Sequence, residues 1–263
     1  MLTERGIILK IVHIGDNSIR LQIILFNCFQ LAQKFKIKQV EMRQNMDGQK
    51  DLLSLIDDGS RAREDHSVMM TIEQLEKQCL SCSRCSLRDG CKQVVFGAGS
   101  PEAQIMLIGE APGSSEDQQG IPFVGSAGQL LSRILAAVNI SREEVYITNI
   151  VKCRPPRNRM PDPDEIRSCL AYLHQQIAII DPHIIVCLGS LSTRTLIDKN
   201  AMITRMRGQW KQIGSRLYMP TFHPAALLRD PRKKRPVWDD FKQIEKKYRE
   251  KLDQEGRSCT REC

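Results

Sequence analysis

Two short strings of this chain combine reactive side chains with the glycines and prolines that build rigid loops. The first runs from Gly109 to Gly113 and contains the carboxylate of Glu110. The second, His-Pro-Ala-Ala-Leu-Leu-Arg, runs from His223 to Arg229 and offers an imidazole and a guanidinium. A carboxylate and an imidazole can transfer protons or stabilise developing charge. We therefore predict that the two strings form one active site.

Both strings follow apolar runs that are typical of buried strands. The chain has four such runs, which cover residues 103–108, 145–150, 183–188 and 216–222. The first run stops at Gly109, the second contains Asn149 near its end, and the fourth leads into His223. Ligands of parallel sheets collect outside the carboxyl ends of the strands. We therefore expect Glu110, Asn149 and His223 to lie together.

Helical patterns fill the gaps between these runs. Residues 126–138 carry apolar side chains at spacings of three and four, and Ser126 is a suitable N-cap. Asp162 and Pro163 form a cap and first-turn pair for a helix to about Ile180. A short helix is expected from Ser190, and a terminal one over 237–251. The alternation predicts an α/β fold, a single three-layer αβα domain around a mainly parallel four-stranded central sheet.

The clear pattern is confined to part of the 263 residues. We predict one domain over residues 71–251, preceded by an N-terminal extension (1–45) and a linker (46–70), and followed by a C-terminal tail (252–263). No apolar stretch approaches the roughly 18 residues that span a bilayer, and no export signal is evident. We therefore expect no membrane partner and a cytoplasmic location.

The chain is basic, with a formal net charge of +8. Five of the seven residues from 229 to 235 are lysine or arginine. A basic surface favours a polyanionic partner such as nucleic acid, although a single basic run is more often only a solvated surface. This run is stronger evidence for a nucleic-acid partner because it adjoins His223.

The ten cysteines favour metal ligation or burial over a disulfide framework. Four lie in weakly patterned termini or in a predicted buried strand and are not expected to be ligands: Cys28, Cys187, Cys259 and Cys263. In one interpretation of the other six, a ferredoxin-like cluster uses Cys79, Cys82, Cys85 and Cys91. In the other interpretation, Cys82 and Cys85 combine with two distant cysteines, Cys153 and Cys169. Zinc binding and simple burial also stay open.

Six motifs, in this order, resemble the iron-sulfur uracil-DNA glycosylases, the fourth family of their superfamily. They are Cys82-Ser-Arg-Cys85-Ser-Leu87, Gly109-Glu-Ala-Pro-Gly113, Gly120-Ile-Pro-Phe-Val-Gly125, Thr148-Asn-Ile-Val-Lys-Cys153-Arg-Pro-Pro, Cys169 and His223-Pro-Ala-Ala-Leu-Leu-Arg229. The resemblance covers about residues 79–248. It implies a uracil-DNA glycosylase domain with a four-iron four-sulfur (4Fe-4S) cluster on Cys82, Cys85, Cys153 and Cys169. Cys79 and Cys91 are then left outside the ligand set.

The resemblance also implies a function, the repair of uracil-containing DNA, single- or double-stranded, by a monomeric enzyme. The enzyme would flip uracil out and hydrolyse its N-glycosidic bond, leaving an abasic site. Asn149 would then read the uracil edge, Phe123 would stack on the base, and His223 would donate a hydrogen bond to the uracil carbonyl. Leu227 would fill the gap left by the flipped base, and Arg229 would contact phosphates.

The first string allows more than one assignment. Glu110 would orient water or stabilise the cationic sugar, because Ala111 stands where classical uracil glycosylases carry a water-orienting aspartate. Backbone amides from Ala111 to Gly113 would hold water or phosphate, and Glu116 would exclude the thymine methyl group. Two other functions stay open: a non-catalytic iron-sulfur module that binds nucleic acid, and a glycosylase for another deaminated base. The intact site residues argue against the first, and Asn149 argues against the second.

Overall fold

A computed structural model describes residues 70–259 of the chain, with side chains described through residue 254. The expected N-terminal extension (1–45), residues 46–69 of the expected linker and the final residues 260–263 lie outside this part. So do Cys28, Cys263 and the side chain of Cys259, three of the cysteines that are not expected to be ligands.

A six-stranded sheet forms the centre of the described domain. Its strands are β1 (Ala98–Gly99), β2 (Ile105–Gly109), β3 (Val145–Asn149), β4 (Ile184–Leu188), β5 (Lys211–Ile213) and β6 (Arg216–Thr221), in the spatial order β1-β3-β2-β4-β6-β5. The four inner strands are parallel, as predicted, and β1 and β5 pair antiparallel at the edges. The predicted count of four strands was wrong, because the two edge strands are too short to give an apolar pattern.

α-Helices precede, connect and follow the strands. Within residues 70–259 they are α1 (Ile72–Leu80), α2 (Leu87–Gly90), α3 (Ser114–Gln119), α4 (Ser126–Ala137), α5 (Pro163–Ile180), α6 (Ser190–Leu196), α7 (Ile203–Met206), α8 (Pro224–Arg229) and α9 (Lys234–Cys259). The helices predicted near Ser126, Pro163 and Ser190 are confirmed. The terminal helix begins earlier and extends further than predicted, since Pro236 is tolerated in a first turn. None of the described helices has both the length and the apolarity needed to cross a membrane.

The inner strands are buried on both faces, and alternate residues enter two separate cores. Met106 and Ile108 pack in the core that includes residues of α1 and α5. Ile105 and Leu107 pack in the core that includes residues of α4 and α9. Helices thus cover both faces of the sheet, as the alternation of strands and helices predicts.

The topology brings three loop beginnings to one edge of the sheet. β2, β3 and β6 are parallel members of the same sheet, so their carboxyl ends point the same way. In the pairing of β2 with β3, Gly109 lies directly beside Asn149. β3 lies on one side of β2, and β4 and β6 lie on the other. This change of direction marks the place where α/β sheets bind ligands.

Candidate active site

Asn149 ends β3 as a fully buried polar side chain. Its exposed fraction is 1%, and its Oδ1 has no hydrogen-bond partner among the described residues. A Cβ atom added at Gly109 would overlap this Oδ1, so the amide extends over the glycine of the neighbouring strand. A buried acceptor without a partner costs about 1–3 kcal/mol. The atom is therefore available to a ligand that brings its own N–H group.

Phe123 lies beside this amide in a strained conformation. Its φ of 54° is uncommon for a bulky residue. The close approach of its carbonyl to α4 requires Gly128, where any Cβ would collide with the Phe123 backbone. A Cβ at Gly109 would also come within 2.6 Å of Phe123 Cζ. The Phe123 ring centroid lies 5.5 Å from that of His223.

His223 immediately precedes α8 and accepts a hydrogen bond at one ring nitrogen. The backbone N–H of Ala225 donates to His223 Nδ1 over 3.1 Å. Burial, together with the nearby positive charge of Arg229, lowers the pKa of His223 to about 4. The ring is therefore neutral at physiological pH and carries its proton on Nε2. A neutral imidazole of this kind can donate a hydrogen bond to a developing anion.

A buried network holds the strand end that delivers His223. Thr221, the last residue of β6, donates through Oγ1 to Asp240 Oδ2 over 2.6 Å. Asp240 is fully buried in α9 and is also paired with the guanidinium of Arg207, whose Nε lies 3.0 Å from Asp240 Oδ2. This network fixes β6 two residues before the imidazole.

Glu110 and Arg229, one from each string, interact electrostatically. Glu110 directly follows β2, and burial raises its pKa while the charge of Arg229 opposes the rise. That interaction places the carboxylate of the first string near the guanidinium of the second. A raised pKa suits a carboxylate that takes a proton from water. Ala111, the next residue, packs partly buried against the core that contains α1 and α5.

Glu116 has backbone partners, although we expected it to face the substrate. Its Oε2 accepts from the Gly113 N–H over 3.1 Å, and its Oε1 accepts from Val124 and Gly125 over 3.0 and 2.8 Å. Glu116 thereby joins the first string to the loop that carries Phe123, and it occupies the Gly113 amide expected to hold water or phosphate. The predicted cap Ser126 is also corrected, because Gly125 is the N-cap of α4.

The leucine expected to act as a wedge does not lie at the surface. Leu227 is 1% exposed and packs in the core that contains α4 and α9. The adjacent Leu228 is 45% exposed. Consecutive residues of a helix point in different directions, and the sequence alone could not show which leucine faces outward. Leu227 would have to leave the core to enter DNA, whereas Leu228 would not.

Four predicted ligand cysteines converge from separate parts of the chain. Cys82 and Cys85 lie between α1 and α2, Cys153 follows β3, and Cys169 lies in α5. All four line one apolar cavity, and the buried Cys79 lines it too. We call Cys82, Cys85, Cys153 and Cys169 the cysteine cage.

Cys91 lies outside the lining of this cavity and accepts a hydrogen bond from the Arg88 guanidinium over 3.4 Å. Cys187 is fully buried in β4, as expected for a cysteine that is not a ligand. Among residues 70–259, no three histidine, cysteine or acidic side chains are grouped tightly enough to hold a single metal ion.

Sequence reasoning missed two cations beside the site. Arg142 donates through Nη2 to the Pro122 carbonyl over 2.6 Å and through Nη1 to Ser132 Oγ over 3.2 Å, which braces the loop before Phe123. Lys152 is 1% exposed and lies next to Cys153. The motif that contains Lys152 was visible in the sequence, but the burial of its side chain was not.

Comparison with known proteins gives a consistent family. The sequence model of the uracil DNA glycosylase superfamily matches residues 96–242. The type-4 uracil-DNA glycosylase of Sulfurisphaera tokodaii is 43% identical over 185 residues, which cover 67% of this chain and 84% of the relative. Its counterpart from Saccharolobus solfataricus is 44% identical, with 67% and 86% covered. A relative of the same name from Thermotoga maritima is 43% identical, with 60% and 84% covered.

Proposed function

The chain belongs to the uracil DNA glycosylase superfamily, and from this membership we propose that it excises uracil from DNA. The reaction is hydrolysis of the N-glycosidic bond, and it leaves an abasic site for repair. The relatives named type-4 uracil-DNA glycosylases support this activity, because the chain covers most of their length.

The buried, unpartnered Oδ1 of Asn149 is the observation that carries the proposal. The pairing edge of uracil presents an N3–H donor beside the O4 acceptor. An asparagine amide matches that pair, since Oδ1 accepts from N3–H while Nδ2 donates to O4. Cytosine presents an acceptor at N3 and a donor at N4, and therefore mismatches both atoms. A flipped uracil would satisfy an amide oxygen that the protein leaves unsatisfied.

His223 and Glu110 are proposed to act on opposite charges of the transition state. As the glycosidic bond breaks, negative charge develops on uracil and positive charge on the sugar. The Nε2–H of the neutral His223 donates to the uracil carbonyl as its charge grows. Glu110 orients the attacking water and takes its proton, a task for which its raised pKa is suited. Phe123 supplies the stacking surface for the flipped base.

The exposed basic residues that end α8 and follow it are proposed to bind DNA phosphates. Arg229, Arg232 and Arg235 are all exposed at the surface. Contacts of this kind add affinity that depends on salt and not on sequence. They lie next to His223 in the chain, so they can hold a strand beside the pocket.

We assign the wedge to Leu228 and predict a strand-dependent effect of removing it. The Leu228→Ala variant is expected to excise uracil from duplex DNA on the order of tenfold more slowly, because the gap left by the flipped base stays unfilled. Single-stranded DNA has no stacked partner to separate, so its rate should not change. Ile213→Ala, which trims another exposed apolar side chain, is the control. An equal loss of excision rate on duplex and on single-stranded DNA would contradict the assignment of the wedge to Leu228.

The cysteine cage is proposed to hold a 4Fe-4S cluster. Four thiols around one apolar cavity are the donor set that such clusters use. A bound cluster would supply a covalent cross-link between the segment before α2, the loop after β3 and helix α5. The cavity lining includes Cys153 and Cys169 but not Cys91, which favours the long-range set, while Cys91 lies within hydrogen-bonding reach of Cys153.

Two cysteine substitutions distinguish the ligand sets. Cys153→Ala is expected to abolish the broad visible absorbance of the purified protein and most of its iron, because one of four ligands is lost. Cys79→Ala removes a thiol that lines the same cavity and should keep both signals. Iron analysis with an absorbance spectrum gives the answer. Loss of colour in Cys79→Ala and its retention in Cys153→Ala would restore the local, ferredoxin-like set.

A panel of substrates tests the proposed activity. Matched oligonucleotides carry a single uracil, thymine, cytosine or hypoxanthine, and alkali reveals the abasic sites that the purified protein leaves. Cleavage at uracil and none at cytosine is expected from the hydrogen-bonding pattern of Asn149. Thymine and hypoxanthine present the same N–H donor and carbonyl acceptor as uracil, so they test the shape of the pocket. Faster removal of hypoxanthine than of uracil would instead identify a glycosylase for another deaminated base.

A further inference from the structure

Lys152 is a buried cation with a complete set of hydrogen bonds. Its Nζ donates to Thr148 Oγ1 over 2.6 Å, to the Asn149 carbonyl over 2.8 Å and to Gln176 Oε1 over 2.6 Å. Three acceptors therefore match the three ammonium hydrogens. All three are neutral oxygens, and the sulfur atoms of Cys169 and Cys79 lie close enough to act on the ammonium, whose burial is otherwise unfavourable. Apolar packing alone would favour an apolar side chain at this position.

The bonds of Lys152 join the end of β3 to the helix that carries a cage cysteine. Thr148 and Asn149 are the last two residues of β3, whereas Gln176 lies in α5, seven residues after Cys169. The backbone N–H of Lys152 also donates to Cys169 Sγ over 3.3 Å. Lys152 thus contacts α5 at two points and holds the strand end against it.

Gln176 makes this attachment rigid. Its Nε2 donates to the Phe96 carbonyl over 3.0 Å and to the Tyr146 hydroxyl over 3.2 Å, and the residue is fully buried. Both the oxygen and the nitrogen of its amide are therefore engaged. Lys152 Nζ therefore donates to an immobile side chain of α5 and, at the same time, to the Asn149 carbonyl.

We propose that Lys152 is a positioning residue that fixes the Asn149 amide by tying its backbone to the cage-bearing helix. The inference rests on the proposed function, because it assumes that Asn149 contacts uracil. Loss of the ammonium would free the Asn149 carbonyl and let the amide move within the pocket. The side-chain contact of Lys152 with Gln176 would be lost, while the bond from the Lys152 backbone to Cys169 stays in place.

A double-mutant cycle tests this role in the full chain. Lys152→Met keeps the side-chain length and removes the ammonium, and it is compared with Asn149→Ala and with the double variant. Single-turnover excision by Lys152→Met should fall on the order of tenfold to a hundredfold, with iron content and visible absorbance retained. The double variant should be no slower than Asn149→Ala alone, because Lys152 acts through Asn149.

If Lys152→Met fails to fold or to retain iron, a second double-mutant cycle with Thr148→Val tests the same role. Thr148→Val keeps the side-chain shape and removes one acceptor of Lys152 Nζ, so it should reduce the excision rate less than Lys152→Met. This reduction should again vanish in the Asn149→Ala background. Losses that multiply in the cycle, or a full rate in Lys152→Met, would overturn the proposal. A wild-type protein that releases no uracil would instead refute the proposed function, before any variant is compared.

Discussion

Replacement of His223 by alanine is expected to slow uracil release on the order of 10²- to 10³-fold, the usual cost of losing one donor to a developing anion. In the proposed mechanism the imidazole stabilises charge that appears only as the bond breaks, so the affinity for DNA should stay close to that of the wild type. Single-turnover kinetics and a separate binding assay distinguish the two quantities. His174→Ala, which removes an exposed imidazole elsewhere in the domain, is the control.

Because His223 is neutral, we also expect a particular pH dependence of the rate of uracil release. With the folded pKa near 4, the ring stays neutral at pH 6.5, where an ordinary histidine is half protonated. The wild-type rate should therefore show no histidine-like step near that pH. An activity step centred near pH 6.5 that is absent in His223→Ala would contradict the neutral donor.

The low pKa of His223 also makes the stability of the domain depend on pH. The unfolded chain binds this proton at a higher pH than the folded domain. The contribution of His223 to the free energy of unfolding is thus complete above about pH 6.5 and is lost as the pH falls towards 4.

Substitution of Gly109 by alanine is expected to abolish excision without unfolding the domain. The new Cβ would overlap Asn149 Oδ1 and come within 2.6 Å of Phe123 Cζ. Both groups would have to move, and a displacement of about 1 Å in a catalytic site can cost a hundredfold in rate. We expect a loss of at least about that size, measured under single-turnover conditions with saturating protein.

Gly90→Ala is a matched control for this substitution, because a Cβ there meets no atom within 4 Å. It should retain the wild-type rate, iron content and melting temperature. Gly109→Ala should retain the iron and the fold but lose the rate, and it should melt at a lower temperature because the added Cβ displaces buried neighbours. A nearly wild-type rate in Gly109→Ala would mean that the base does not bind between Asn149 and Phe123.

The sequence predicted the four inner strands well because each gives a strong apolar pattern. A parallel strand that is buried on both faces must be almost wholly apolar, and the end of each apolar run marked the start of a loop. The edge strands Ala98–Gly99 and Lys211–Ile213 carry no such signal, since short and partly exposed strands can use almost any residue. The six-stranded sheet therefore required the structure.

The sequence predicted which candidate residues lie near one another, but it predicted less well where their side chains point. Glu110 and His223 follow parallel strands and Asn149 ends one, so the carboxyl ends of the strands bring all three to one edge of the sheet. Whether Leu227 or Leu228 points to solvent depends on how α8 packs. The hydrogen-bond partners of Glu116 lie in loops that come together only in the folded chain. Burial of Lys152 was equally hidden, because a lysine beside a loop is usually solvated.

Free uracil, measured together with abasic sites, tests the central claim most directly. The purified chain, after its iron content has been determined, is incubated with a duplex that carries one uracil, and both products are quantified over time. One uracil released for each abasic site is expected from the wild type, with almost none from His223→Ala in the same interval. A folded, iron-containing wild-type protein that binds this duplex and releases no uracil would contradict the claim.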